Sequence, residues 1–115
     1  MYVVKNKDTK LAPLFVKNSK VSFSKSELQL ILNLYAKMVS IGEWKDYGIS
    51  ILKEFCIFSI YKNSLDFPIF RVKKNLYGRN VIYSILAVDG NILSRGNDLE
   101  TVLKFFSSKT LKLLK

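Results

Sequence analysis

The side chains of this sequence that could do chemistry are few in kind. The chain has no histidine, which removes the commonest general base and the usual nitrogen ligand of metal ions. Its single cysteine, Cys56, lies in the apolar run of residues 55–58 and cannot by itself build a zinc site. The nine acidic residues are dispersed, and no two form an obvious carboxylate pair for hydrolysis. We therefore expect a protein that is not an enzyme and that uses no metal and no cofactor.

One candidate binding site is the stretch Glu43–Tyr47. Trp44 and Tyr47 are interleaved there with charges of both signs, and an aromatic anchor with a polar rim is typical of protein-interaction hot spots. The alternative is a structural corner, in which Trp44 packs into the core. We favour the corner, because large aromatic residues at the ends of helices usually pack.

A second candidate lies on two segments that have the composition of neighbouring strands. If Val72 points inward, Arg71 and Lys73 share the outer face with Tyr61, and Arg79 follows in the adjacent loop. A basic sheet face that carries an aromatic residue could hold single-stranded nucleic acid by stacking and phosphate contacts. The same pattern is expected of any solvated antiparallel face in a lysine-rich protein, and a lone tyrosine is a small stacking platform.

The net charge of +10 and the pI near 9.8 are typical of nucleic-acid-binding proteins. Almost all of the positive charge is lysine, however, and the arginines stand only at positions 71, 79 and 95. Recognition of phosphates and bases favours the bidentate guanidinium group, and a lysine-rich composition is also typical of AT-rich genomes. The charge therefore supports a nucleic-acid partner only in part.

The first element that must position these residues is a helix. Ser24 and Glu27 have the spacing of a capping box, and Gly42 stands where a helix commonly ends, so we expect a helix over Lys25–Ile41.

This helix has two apolar strips. One is wide enough to cover a sheet, and Leu30, Leu34 and Ile41 form the other. The second strip predicts either self-association of the chain or a cover formed by residues Leu14–Val16.

Strands and a second helix follow. Asp89–Gly90 is a strong hairpin signal, and Asn97 has the capping-box spacing from Glu100, so we expect Asn97 to cap the last helix. Just before that helix, we expect Gly96 to supply an unusual backbone angle and Arg95 to pair with a local carboxylate. The predicted strands are Phe55–Lys62, Pro68–Lys74, Val81–Val88 and Ile92–Arg95, and the predicted helix is Leu99–Ser107.

These elements predict an α+β fold: an antiparallel sheet of about four strands with an N-terminal and a C-terminal helix, in the order α-β-β-β-β-α. Residues 1–20 are predicted to form a basic, flexible tail, and residues 21–115 a single domain.

Two blocks of residues carry a family resemblance. The string Phe23–Tyr47, which ends in Gly-Glu-Trp-Lys-Asp-Tyr, and the block Gly90–Leu103 resemble the alphaproteobacterial domain-of-unknown-function family 2794. The resemblance covers roughly residues 20–107, and the chain departs from it mainly in carrying lysine where the family usually has arginine. It implies a bacterial cytosolic protein and carries no activity with it.

The sequence also predicts where the protein resides and what it does. A lone cysteine cannot form an intramolecular disulfide, the first residues lack the apolar core of a signal peptide, and no uncharged apolar stretch approaches the ~18 residues of a membrane span. We expect a cytoplasmic protein with no membrane partner. Its most favoured function is a small non-enzymatic binding domain for another protein or for a second copy of itself. The alternatives are nucleic-acid binding through the basic sheet face and, least favoured, an enzyme.

Overall fold

The computed structural model describes residues 3–4, 20–63 and 67–113, the side chains of residues 3–4 and 108–113 excepted. Its sheet has six strands, five of them between the two helices, whereas the sequence predicted about four. The α+β class and the two flanking helices are as predicted. The elements are β1 (Val3–Val4), α1 (Lys25–Ser40), β2 (Asp46–Ile51), β3 (Phe55–Tyr61), β4 (Phe70–Tyr77), β5 (Asn80–Ala87), β6 (Ile92–Gly96) and α2 (Leu99–Leu113).

The strand missing from the prediction is β2, whose aspartate, glycine and serine give it weak strand character. The predicted tail, residues 1–20, lies outside the described residues except for Val3, Val4 and Lys20, and Val3–Val4 pair with β2. The predicted cover Leu14–Val16 also lies outside them.

The sheet is an antiparallel meander in the order β1-β2-β3-β4-β5-β6. Its inner face, which carries Phe58, Val72 and Ile85, is fully buried at those positions. Both helices contribute to the same core, α1 through Ile31 and α2 through Phe106. The outer face carries the residues that alternate with these, and no described helix contributes a side chain to it.

Helix α1 begins as the sequence predicts. Ser24 has an extended backbone, its Oγ accepts the Glu27 N–H at 3.2 Å, and Glu27 Oε1 accepts the Ser24 N–H at 2.7 Å. This capping box satisfies two N–H groups that a helix otherwise leaves unpaired. The helix ends at Ser40, and Gly42 follows in the left-handed region at φ +81°, with its N–H donated to the Val39 carbonyl.

The entry to α2 differs from the prediction. The cap is Asp98 rather than Asn97, because Asp98 Oδ2 accepts the Thr101 N–H at 3.1 Å and its carbonyl accepts the Val102 N–H. Gly96 is not in a left-handed conformation; a Cβ there would lie 3.3 Å from a methyl group of Val102, so the helix packs closely over it.

Aromatic side chains hold the helices to the inner face. Trp44 is 3% exposed and meets Phe106 edge-on at 5.1 Å, and Phe106 meets Phe70 in the same way at 5.0 Å. Tyr47 stacks on Phe58 at 4.8 Å with nearly parallel rings. Tyr35 of α1 meets Tyr47 edge-on at 5.0 Å, so aromatic contacts join α1, the α1–β2 turn, the sheet and α2 into one core.

Candidate functional site

One cluster of titratable groups lies on the inner face. Lys74 Nζ is 2.8 Å from Glu27 Oε1 and also donates to the Ser22 carbonyl at 2.9 Å. The Tyr83 hydroxyl donates to Glu27 Oε2. Every group in this cluster has a partner inside the fold, so the cluster joins α1 to the sheet and leaves nothing for a ligand.

The buried thiol beside this cluster is also unsuited to chemistry. Cys56 is fully buried, and its burial raises the pKa to about 12, with Lys74 lowering it and Glu27 raising it by smaller amounts. A thiol of such high pKa carries almost no thiolate near neutral pH, so Cys56 is a structural residue.

The outer face presents a different arrangement. Strand pairing places Gly48, Ser59, Arg71 and Leu86 side by side in one row across β2 to β5. Opposed side chains in such rows have Cβ atoms roughly 5 Å apart. Gly48 has no side chain and Ser59 a short one, so a hollow lies above these two residues. The long side chain of Arg71, the next residue in the row, bounds this hollow.

A second row lies beside the first. Ser50, Ile57, Lys73, Ser84 and Arg95 are paired in that order from β2 to β6. The two serines are 6–7% exposed, because the longer side chains around them rise above the sheet. Small residues therefore form the floor of this face, and cations stand above it.

The hollow is a cavity of about 260 Å³, and among the residues that the structure describes none that lines it is acidic. A Cβ placed on Gly48 would meet nothing within 4 Å, so the space above this glycine is open. The cavity is lined by Gly48, Ser50, Ile57, Ser59, Tyr61, Pro68 and Arg71.

Three polar side chains of the cavity are available to a ligand. Within the described part of the chain, the hydroxyls of Ser59 and Tyr61 and the guanidinium of Arg71 have no hydrogen-bond or ion-pair partner. Among the described residues, the carboxylate nearest in register is Asp46, which pairs with Tyr61 across the strands but is not one of the cavity's lining residues. Its Oδ1 accepts the Tyr47 N–H at 2.8 Å.

The structure brings together three of the four residues predicted for nucleic acid. Val72 is fully buried, so Arg71 and Lys73 point to the outer face with Tyr61, as the sequence predicted. Lys73 Nζ lies 4.4 Å from the centre of the Phe55 ring.

Arg79 is the fourth residue, and it is not part of this site. It stands in the turn after β4, about 20 Å beyond Arg71 at a rise of roughly 3.3 Å per residue.

Arg95 belongs to the outer face although the sequence suggested a local ion pair for it. Among the residues that the structure describes, it pairs with no carboxylate, and its register partner is Ser84. Gly48 and Ser50 were also missed. Once β2 is recognised, their alternation places them on one face, but only the pairing with β3 brings them beside Ser59.

Most of the residues predicted for protein interaction belong to the core. Trp44 is buried, which is the structural corner that the sequence favoured, and Tyr47 and Leu34 pack against the core. Leu30 and Ile41 remain 37% and 36% exposed. Self-association through this strip stays a prediction, and a test of it should leave Leu34 unchanged.

Two further observations bear on the site. The described residues hold no group of three or more metal-ligating side chains. None of the helices in that part of the chain combines the length and the apolar character needed to cross a membrane.

Comparison with known protein families gives a match over most of the chain. The model of a family described as "Protein of unknown function (DUF2794)" matches residues 21–103, which is well over half of the chain. This span includes β2 to β6, α1 and the start of α2, and therefore the whole outer-face cavity. No curated protein and no solved structure matches the chain.

Proposed function

We propose, from the premise that this chain belongs to the DUF2794 family of proteins of unknown function, that it is a non-catalytic binding protein for single-stranded nucleic acid. The binding surface is the outer face of the sheet. In the cell we place it in the cytosol, where a lone free thiol such as Cys56 is ordinary.

The observation that carries the proposal is the position of Arg71 and Tyr61 on one cavity whose described lining residues include no acidic side chain. Protein contacts to nucleic-acid backbones come mainly from Arg, Lys, Ser and Tyr side chains and from backbone N–H groups. Arg71, Ser59 and Tyr61 supply three of these groups from adjacent positions on neighbouring strands.

Charge complementarity extends beyond the cavity. Lys73 lies two residues from Arg71 on β4, roughly 7 Å along the strand. Arg95 lies two strands from Lys73 in the same row, roughly 10 Å away at the usual strand spacing. Three cations thus form a path over the outer face that suits the phosphates of one strand.

A protein partner fits the described surface less well. The two aromatic residues that the sequence offered as anchors for one, Trp44 and Tyr47, are used inside the core. A single strand is favoured over a duplex because its bases are free to stack on an aromatic ring such as Tyr61. A sheet face with short side chains on its floor allows that approach.

The experiment is fluorescence anisotropy with labelled single strands of RNA and DNA of about 12 nucleotides, a length within the usual site sizes. We expect binding at about 150 mM salt, which is near physiological ionic strength. The logarithm of the affinity should fall with the logarithm of salt with a slope of about −2, since three cations release counterions at ~0.7 each.

The deciding variants carry equal changes of charge. Arg71→Glu with Lys73→Glu should weaken binding by at least ~10-fold, because two phosphate contacts become repulsive. Lys37→Glu with Lys104→Glu alters the same net charge on exposed helix positions and should cost less than ~3-fold. Equal losses from both pairs, tighter binding to duplex, or no binding at about 150 mM salt would each contradict the proposal.

A further inference from the structure

The outer-face cavity differs from the rest of the binding surface because it is a hollow lined by hydrogen-bond donors. It holds one guanidinium, the hydroxyls of Ser59 and Tyr61, and open space above Gly48. Its volume of about 260 Å³ lies below the ~300–1,000 Å³ that is typical of sites for whole small molecules. A site of this size suits one compact chemical group.

The lining chemistry points to an anion with several oxygens. Arg71 can offer two parallel N–H donors, the geometry that matches phosphate bidentately. Ser59 stands directly opposite Arg71 across the strands, and Tyr61 follows Ser59 by two residues on the same face. Both hydroxyls can donate to oxygens that the guanidinium does not reach.

The apolar part of the lining limits what else can enter. Ile57 and Pro68 bound the cavity without offering a donor or an acceptor side chain. A cation finds no carboxylate among the lining residues in the described ranges, and a neutral polar group would leave the Arg71 charge uncompensated. A phosphate group satisfies the donors and matches the charge.

We infer that this cavity binds a phosphate monoester, the terminal phosphate of a nucleic-acid strand, and that the protein therefore prefers strands with a phosphorylated end. The inference rests on the proposed function. A monoester has one substituent and about two negative charges near pH 7, whereas the phosphodiester within a strand has two substituents and one charge. Only the monoester enters a small site from one side and brings the larger charge to Arg71.

The experiment compares strands of one sequence that carry a 5′-phosphate, a 3′-phosphate or only hydroxyl ends. We expect one of the phosphorylated strands to bind about 10-fold more tightly than the hydroxyl strand, and the two ends show which phosphate is held. A nucleoside monophosphate should compete with that strand, and the nucleoside should not.

Two variants locate the preference. Gly48→Val fills the cavity without a change of charge, and a Cβ there meets no atom within 4 Å, so the fold is retained. It should remove the preference, so that phosphorylated and hydroxyl-ended strands bind this variant with equal affinity. Arg71→Lys keeps the charge but loses the bidentate donors and should also remove most of the preference. Arg79→Lys is the same chemical change at an exposed position outside the binding surface and should leave the preference intact.

A pH series gives a readout that a merely structural role would not move. The second ionisation of a phosphate monoester has a pKa near ~6, and the chain has no histidine to titrate in that range. The preference for the phosphorylated strand should therefore rise between about pH 5.5 and pH 7.5.

The outcomes separate the inference from the function beneath it. If no strand binds, the proposed function itself fails. If hydroxyl-ended and phosphorylated strands bind equally, the function stands and the phosphate site is wrong. If a preference exists but survives both Gly48→Val and Arg71→Lys, the phosphate is held elsewhere and the assignment to this cavity is overturned.

Discussion

Lys74 Nζ lies 2.8 Å from Glu27 Oε1, and this ion pair joins the first turn of α1 to the middle of the sheet. Both side chains are only 14% exposed. The same carboxylate accepts the Ser24 N–H of the capping box and the hydroxyl of Tyr83 on β5. One side chain therefore both starts the helix and sets its position over β4 and β5.

Replacing this carboxylate should destabilise the protein. Glu27→Gln keeps the size of the side chain but removes the charge that Lys74 and Tyr83 bind, and breaking a largely buried charged hydrogen bond costs about 2–3 kcal/mol. Urea unfolding measures the loss. Glu54→Gln changes an exposed carboxylate and should stay within about 0.5 kcal/mol. If Glu27→Gln lowered the unfolding free energy as little as Glu54→Gln does, the ion pair would not hold α1 on the sheet.

The same pair predicts a loss of stability in acid. Burial raises the pKa of Glu27. The hydrogen bonds from Lys74, Tyr83 and Ser24, together with the Lys74 charge, lower it by a larger amount, so the pKa lies below its usual range. The unfolded chain then takes up a proton at higher pH, near pH 4.3, than the folded one. Stability from this group is complete above that pH and is lost as pH falls through the folded pKa.

Urea unfolding between pH 6 and pH 2.5 checks this loss of stability in acid. The difference in unfolding free energy between the wild type and Glu27→Gln should shrink as pH falls. A difference that is constant over this range would show that the pKa of Glu27 is the same in both states.

The fall of the unfolding free energy at alkaline pH depends on Cys56. Burial raises its pKa to about 12, whereas an unfolded cysteine ionises near ~8.5. Between these values the unfolded chain has lost the proton and the folded chain keeps it, so stability falls as pH rises, by up to about 1.4 kcal/mol per pH unit. Tyr83, whose pKa is also raised by burial and by its hydrogen bond to Glu27, adds to the loss at higher pH.

The Cys56→Ala variant tests this loss of stability at alkaline pH. The variant should be less stable at pH 7, because a buried group is removed, but its stability should fall less steeply than the wild type from pH 9 to pH 11. Parallel curves for the two proteins would show that the thiol does not cause the alkaline loss.

Asp46 should oppose the binding of an anion on the outer face. It stands across from Tyr61, next to the cavity, and a unit charge roughly 8 Å away in water contributes about 0.5 kcal/mol. Asp46→Asn keeps an oxygen for the Tyr47 N–H and should tighten strand binding about twofold at low salt. Glu100→Gln on α2 is the matched control and should change the affinity less. Weaker binding by Asp46→Asn would contradict a site for phosphate at this cavity.

The sequence by itself determined the local structure of this protein. The Ser24–Glu27 spacing, Gly42 and the Asp89–Gly90 turn depend on short-range hydrogen bonds and backbone angles, and all three form as predicted. The alternation of β3 and β4 likewise determined that Arg71 and Lys73 share a face. Neighbouring residues decide each of these features, so they can be read along the chain.

Tertiary structure decided which elements meet. Glu27 and Lys74 are 47 positions apart, and neither carries a local signal that they pair across the fold. Asp98, rather than Asn97, caps α2 by accepting the Thr101 N–H, and Val102 of the same helix packs closely over Gly96 of β6. Strand pairing alone placed Gly48 beside Ser59 and Arg71, since the hydrogen-bond register of three strands fixes which side chains share a row. The cavity on the outer face exists only through that register.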